Sequence, residues 1–226
     1  MNDLQKTGRI VGLLLLIAMI IGMYSNFALN DPIFGGAGYL VNGLQHRTLF
    51  GLNVVADFIN SSIGITVAVL VYSKTWRNYP KLSMTYLSVV IVSVAVGLSE
   101  QAHFMSLLSL SEQFAKHPAL DPQLFDVMKA MISADRNWYH FIGKISGGAS
   151  LFLLYVLLYR TQFIFRLISL FGMFAAAMQM SGISVEFFSH DLNKMMLYPM
   201  GIAHLILIIC LLIKGFSEKT PDKHLT

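Results

Sequence analysis

The chain has 226 residues, 55% of them hydrophobic and only 12% charged, with a mean hydropathy of +0.63. A soluble domain carries about 25% charged residues, so this chain cannot clothe a water-facing surface, and most of its surface must face lipid. One cysteine, Cys210, rules out an internal disulfide and a cysteine-built zinc cage, and a net charge of +4 spread over short loops speaks for membrane orientation rather than a nucleic-acid partner.

The chain opens with "MNDLQKTGRIVGLLLLIAMIIGMYSNFALN", in which Lys6 and Arg9 precede a long apolar run. That run is longer than the apolar part of a signal peptide, and no small-x-small cleavage site follows it. It predicts a retained first spanning helix over 8–29. The next stretch, "NDPIFGGAGYLVNGLQHRTLF" (30–50), is glycine-rich and predicts an irregular or briefly re-entrant outer loop. About 20 apolar residues cross a bilayer as a helix, and five further runs meet that length: 49–73, 82–111, 137–160, 163–187 and 194–214. Between the third and fourth lies "LDPQLFDVMKAMISADRN". There Asp121 can cap a helix with Pro122 in its first turn. Leu124, Val127, Met128, Met131 and Ile132 recur on one face, which predicts a short amphipathic helix covering the outer mouth. The fold expected is all-α: a six-helix transmembrane bundle in a single integral membrane domain, 1–226, with 215–226 as a cytoplasmic tail. No internal repeat points to an inverted-repeat transporter.

Basic residues orient the bundle. Lys6 and Arg9, then Lys74, Arg77 and Lys81, then Arg160 and Arg166, then Lys214, Lys219 and Lys223 fall on one side when six helices alternate. The positive-inside rule puts both termini in the cytoplasm.

An ionisable group at the centre of a spanning helix costs about 2.5–3.5 kcal/mol on insertion scales and seldom faces lipid. The second span carries Asn53, Asp57 and Asn60 on one face, and the third carries Glu100 and His103. Asn137, His140 and Lys144 lie on the fourth span, Gln179, Ser181, Ser184 and Glu186 on the fifth, and Tyr198 and His204 on the sixth. Given the orientation, these cluster in the outer half, whereas "GITVAVLVY", "LSVVIVSVAV", "LFLLYVLLY" and "LILIICLLI" leave the inner half apolar. The pattern predicts an outward-facing pocket of Asp57, Asn60, Glu100, His103, His140, Lys144 and His204, with Lys144 as the cation for Asp57 or Glu100. A plainer reading gives Asp57 and Lys144 the role of an ion pair fixing helix register.

Glu100-x-x-His103 has the spacing of the Glu-x-x-His motif in di-iron bundles. Those sites need a second copy, and Glu186 to His190 has a different spacing. Glu100, His103, His140 and His204 are the residues to which zinc or haem would go, but no cofactor is predicted. There is no G-x-S-x-G, and "SGGAS" (146–150) and "GMFAAAMQMSG" (172–182) read as close-packing surfaces.

The chain resembles the bacterial multi-pass membrane proteins grouped as domain-of-unknown-function family 4386. The stretches that carry the resemblance are "KTGRIVGLLLLIAMIIGMY", "ADFINSSIGITVAVLVYSKTWRNYPKLSMTYLSV", "HFIGKISGGASLFLLYVLLYRTQFIFRLISLFGMF" and "LYPMGIAHLILIICLLIKGF". The resemblance implies six or seven helices in a bacterial cytoplasmic (inner) membrane and brings no established activity. Members commonly carry a glutamate in the last span where this chain has His204, which puts any shared chemistry at that position in question here. The leading functional expectation is non-enzymatic: an outward-facing pocket that binds or passes a small polar or lipid headgroup ligand, with membrane lipid as partner and the oligomeric state open. A metal-dependent membrane hydrolase or haem protein is one alternative, and a structural or partner subunit without a ligand is the other.

Overall fold

The computed structural model describes residues 2–117, 121–188, 190 and 192–217; most of the expected cytoplasmic tail, 218–226, lies outside them. Among the described residues the chain is all helical, with no strand. The helices are α1 (Asp3–Tyr24), α2 (Asn30–Phe34), α3 (Tyr39–Asn42), α4 (Arg47–Thr75), α5 (Pro80–Lys116), α6 (Pro122–Thr161), α7 (Arg166–Ser184) and α8 (Tyr198–Lys214). Ser25–Leu29 continues α1 as a single π-helical stretch into α2. Six helical stretches are long and apolar enough to cross a membrane: Asp3–Phe34, Arg47–Thr75, Pro80–Lys116, Gln123–Thr161, Arg166–Phe188 and Lys194–Lys214. The protein is therefore a multi-pass membrane protein, and helices are the form that lets each spanning segment satisfy its own backbone in lipid.

Local chemistry sets the helix ends. Pro80, which has no N–H to lose, opens α5. Gly215 closes α8 at φ 68°, where its N–H reaches the Leu211 carbonyl at 2.8 Å. Asp121 caps α6 as expected, its Oδ1 accepting from the Gln123 N–H at 2.9 Å.

The short amphipathic helix expected as a separate element is instead the first turns of α6, one helix of 40 residues that also forms the fourth span. No Gly or Pro stands between residues 123 and 142 to break it. The face it buries also differs from the one expected. Leu124, Val127, Met128 and Met131 are exposed, while Phe125 is buried and Ile132 packs against the same core.

Contacts divide the chain into two compact units: 1–16, 64–93 and 144–226 form the first, and 17–63 with 94–143 form the second. In unit 1 small residues bring helices together. A Cβ on Gly8 would lie 2.0 Å from the Phe216 backbone nitrogen, and one on Gly172 would lie 2.2 Å from the buried Tyr155 ring. Ala175, Ala176, Ala203, Leu207, Ile208 and Leu211 are buried on α7 and α8. The two glycine- and alanine-rich stretches read as packing surfaces are used that way, with Gly148 facing Met180 and Gly182 facing Met196. Polar links tie its connecting segments: Lys74 pairs with Asp3, the Arg9 guanidinium donates to the Ile213 carbonyl at 2.8 Å, and the Tyr79 hydroxyl donates to the Arg160 carbonyl at 2.9 Å.

Unit 2 has its own apolar core of Ile33, Tyr39, Leu40, Phe50, Phe104, Leu107, Leu108, Leu110 and Phe125. Within the 30–50 stretch, expected to be irregular or briefly re-entrant, two short helices, α2 and α3, form between turns, because Ile33, Tyr39 and Leu40 give it apolar anchors to bury. Gly38 makes the turn into α3 at φ 79°, a conformation that costs glycine little. Ser111 on α5 fastens that segment, donating to the Leu40 carbonyl at 2.9 Å and accepting from the Leu44 N–H at 3.0 Å. The Tyr39 hydroxyl lies 3.2 Å from Ser133 Oγ on α6; burial pushes this phenol above its ordinary range although the Ser133 hydrogen bond pulls it the other way.

Candidate functional site

Successive α-helical residues turn by about 100°, so Glu100 and Gln101 point to different neighbours while Glu100 and His103 share a face. The geometry of unit 2 follows that rule. Glu100 and His103 meet α6, and Gln101 meets α4. Glu100 Oε1 accepts from His140 Nδ1 at 2.9 Å and lies 3.3 Å from the Arg136 guanidinium. His103 Nδ1 lies 2.6 Å from Asp135 Oδ2, and its ring stacks on Tyr139 at 4.2 Å between centroids. Arg136 and His140 are four apart on α6, as are Asp135 and Tyr139, so two adjacent rows of one helix meet one face of the other.

Arg136 is held on three sides. Its guanidinium lies 5.8 Å from the centroids of both Phe34 and Phe104 and pairs with Glu100, whose side chain is only 13% exposed. Planar guanidinium suits this setting, since it tolerates loss of water and stacks on aromatic faces. On α4 the Asp57 carboxylate accepts from Gln101 Nε2, and Asn53 Nδ2 donates to Asn30 Oδ1. In unit 2 the side-chain atoms Ser25 Oγ, Asn60 Oδ1, Gln101 Oε1 and Arg136 Nε are buried and have no hydrogen-bond partner among the described residues.

Five of the seven residues expected to line a pocket thus fall in unit 2: Asp57, Asn60, Glu100, His103 and His140. Lys144 and His204 belong to unit 1; Lys144 is exposed, and the buried His204 Nδ1 has no partner among the described residues. The cation beside Glu100 in this unit is Arg136, a residue passed over because the fourth span was expected to begin at 137. Asp135 fell outside for the same reason. Gln101 was missed because a neutral amide next to a carboxylate carries no charge signal.

The histidines can hold a proton between imidazole and carboxylate at two places, Glu100–His140 and Asp135–His103. In the neutral ring Nδ1–H donates to the carboxylate and leaves the Nε2 lone pair available. Among the described residues no group of three or more His, Cys, Asp and Glu side chains stands close enough to hold a metal ion. Glu186, singled out with His190, instead accepts from the Leu192 N–H at 3.0 Å and so fastens the turn that follows α7.

No curated protein and no solved structure matches this chain. Residues 10–215, nearly the whole length, match the family described as "Domain of unknown function (DUF4386)", and the chain belongs to that family.

Proposed function

We propose that this protein binds or passes a small polar ligand or a lipid headgroup at the polar cluster of unit 2, facing outward from a bacterial cytoplasmic membrane. What carries the reading is the state of that cluster. A network that only fixed helix register would satisfy its own donors and acceptors, because each buried group left without a partner costs about 1–3 kcal/mol. Here Arg136 Nε, Gln101 Oε1 and Asn60 Oδ1 are buried without one among the described residues, beside the ionisable groups Asp57, Glu100 and His140. Such atoms suit a ligand with both donors and acceptors.

Position in the sequence supports this. In the sequence Glu100 comes 19 residues after Lys81 and Arg136 24 residues before Arg160, each about the 20 residues that a span needs. With the basic ends cytoplasmic, that separation puts the cluster near the outer end of its spans, within reach of headgroups and of solutes outside.

The test is thermal melting of the purified protein in nanodiscs against a panel of small zwitterionic and neutral solutes and of lipids differing only in headgroup. A compound that raises the melting temperature in the wild type and not in Arg136→Gln supports the reading. It fails if no compound shifts the melt and Gln101→Leu makes the protein more stable, for the cluster would then be a poorly satisfied packing device.

A further inference from the structure

We propose that a groove between the start of α7 and the end of α8 holds an acyl chain of an anionic phospholipid, with the lipid phosphate at Lys214. The site lies wholly within unit 1 and does not depend on the reading of unit 2.

Two interactions bring these helix ends together. The Ser217 N–H donates to the Phe163 carbonyl at 2.9 Å, and the Phe163 and Phe216 rings meet at 4.9 Å between centroids. Residues close to both line a groove of about 270 Å³. On the α8 side Ile206, Ile209, Cys210 and Ile213 recur every three or four residues, so they share one face. Phe165 and Ile168 form the other side. Phe165, Ile209 and Ile213 are all exposed, so the groove opens sideways to the lipid rather than being sealed. It is smaller than the about 300–1,000 Å³ of pockets for drug-sized ligands, and its lining follows about two turns of α8. A narrow apolar track of that kind suits one hydrocarbon chain.

Among the described residues that line the groove, Lys214 alone is charged, and it is the last residue of α8. Its Nζ lies 4.5 Å from the centroid of the Phe165 ring, a contact that holds the exposed ammonium at the end of the groove. Neither α7 nor α8 contains an Asp or Glu to neutralise it, and Arg166, next to Phe165, adds a second positive charge at the start of α7. A lysine and an aromatic ring at the end of a spanning helix are the groups that meet phospholipid headgroups. Here they cap an apolar track, so phosphate and chain are recognised by one continuous surface. A zwitterionic lipid brings its own ammonium beside the phosphate, which leaves a net-anionic headgroup as the better match. The end of the chain itself is no rival occupant. It reads "SEKTPDKHLT" (217–226), in which four of ten residues are charged, and charge does not fill an apolar groove.

Cys210 is the only cysteine of the chain and lines the groove, so its rate of modification by a small methanethiosulfonate reports on this site. The experiment uses the full chain in nonionic detergent micelles containing phosphatidylglycerol or phosphatidylcholine with identical acyl chains, over a range of mole fractions. Phosphatidylglycerol should slow the modification, with half the effect at about fivefold lower mole fraction than phosphatidylcholine, the equivalent of about 1 kcal/mol for one lysine at an anionic headgroup. Lys214→Gln should bring the two lipids together, and Lys214→Arg, which keeps the charge, should hold them apart. Each comparison is between lipids within one variant, so a change in the thiol's own reactivity cancels. Arg77→Gln, at an exposed basic residue of the same unit outside the groove, should leave the difference in place. Glycerol phosphate, the headgroup without its chains, should give no protection. The proposal is overturned if the two lipids act alike on the wild type, if their difference survives Lys214→Gln, or if glycerol phosphate protects as well as the lipid. Protection that follows protein concentration instead of lipid would assign the groove to a second copy of the chain and overturn it equally.

Discussion

Unit 1 carries five acidic and twelve basic residues, unit 2 seven acidic and four basic, so their formal net charges are +7 and −3. The two also hold their helices by different means. Unit 1 relies on missing side chains: Gly8, Gly148, Gly172 and Gly182 let a neighbour approach to where a methyl group would stand. Its described ion pair, Lys74 with Asp3, involves an aspartate side chain that is 85% exposed. Unit 2 combines an aromatic core with ion pairs drawn from the spanning helices themselves, two of them at a glutamate only 13% exposed. In lipid there is little hydrophobic drive between helices, so close packing is the cheaper way to hold them and in-span charge is the costly one. A unit that accepts the costlier means is the better place to look for function.

The largest expected effect breaks unit 1 at its tightest approach. Gly8→Val would set a Cβ 2.0 Å from the Phe216 backbone nitrogen and 2.6 Å from the Gly215 carbonyl carbon. Both are backbone atoms, so no side chain can swing aside. The variant should give no monodisperse peak on size exclusion after extraction. Gly64→Ala, at a position with nothing within 4 Å of the added Cβ, is the control, and it should melt at or slightly above the wild type because alanine is the better helix former by about 1 kcal/mol.

Next in size is a break in unit 2. Glu100→Ala removes the partner of a largely buried guanidinium, and breaking such a pair costs about 3–5 kcal/mol. The same loss should be recovered in good part by Glu100→Ala with Arg136→Met, which takes away the stranded charge and keeps the stem volume against Phe34 and Phe104. Denaturant melts of the two single variants and the double variant measure the coupling. If Glu100→Ala alone is neutral, the ion pairs are not what distinguishes unit 2.

These residues also mark where reading the sequence succeeds. Six spans were legible because a bilayer imposes a length on any apolar run, and the basic residues at their ends stand out against it. The Glu100–His103 face was legible from spacing three. Arg136 was not, because "SADRN" between two apolar stretches looks like a loop: only α5, contributing Glu100 and His103 from more than thirty residues away, makes those charges tolerable within a helix. The 30–50 stretch was legible only in part, for the opposite reason. Its glycines signal irregularity, while the three buried anchors that order it, Ile33, Tyr39 and Leu40, gain their meaning from partners such as Ser111 and Phe104 elsewhere in the chain.

The smallest of the effects compares one buried serine from each unit. Ser111 in unit 2 and Ser83 in unit 1 are both fully buried on α5. Ser111 Oγ serves two backbone groups of another segment, the Leu40 carbonyl and the Leu44 N–H. Ser111→Ala leaves both without that partner, for an expected loss of about 1–2 kcal/mol. Ser83 Oγ bonds the Tyr79 carbonyl of its own helical turn at 2.8 Å and meets Thr75 Oγ1 at 2.7 Å. Thr75 Oγ1 also donates to the Val71 carbonyl at 2.9 Å, so Ser83→Ala leaves no group stranded and should cost about 0.5 kcal/mol or less. Hydrogen exchange sharpens the contrast, because the Ser111 effect should appear as faster exchange at Leu44 with little change in α5 itself. Equal losses for the two serines would mean that unit 2 is not tied across its segments in the way its hydrogen bonds suggest, and that burial alone sets the cost of removing a hydroxyl from either unit.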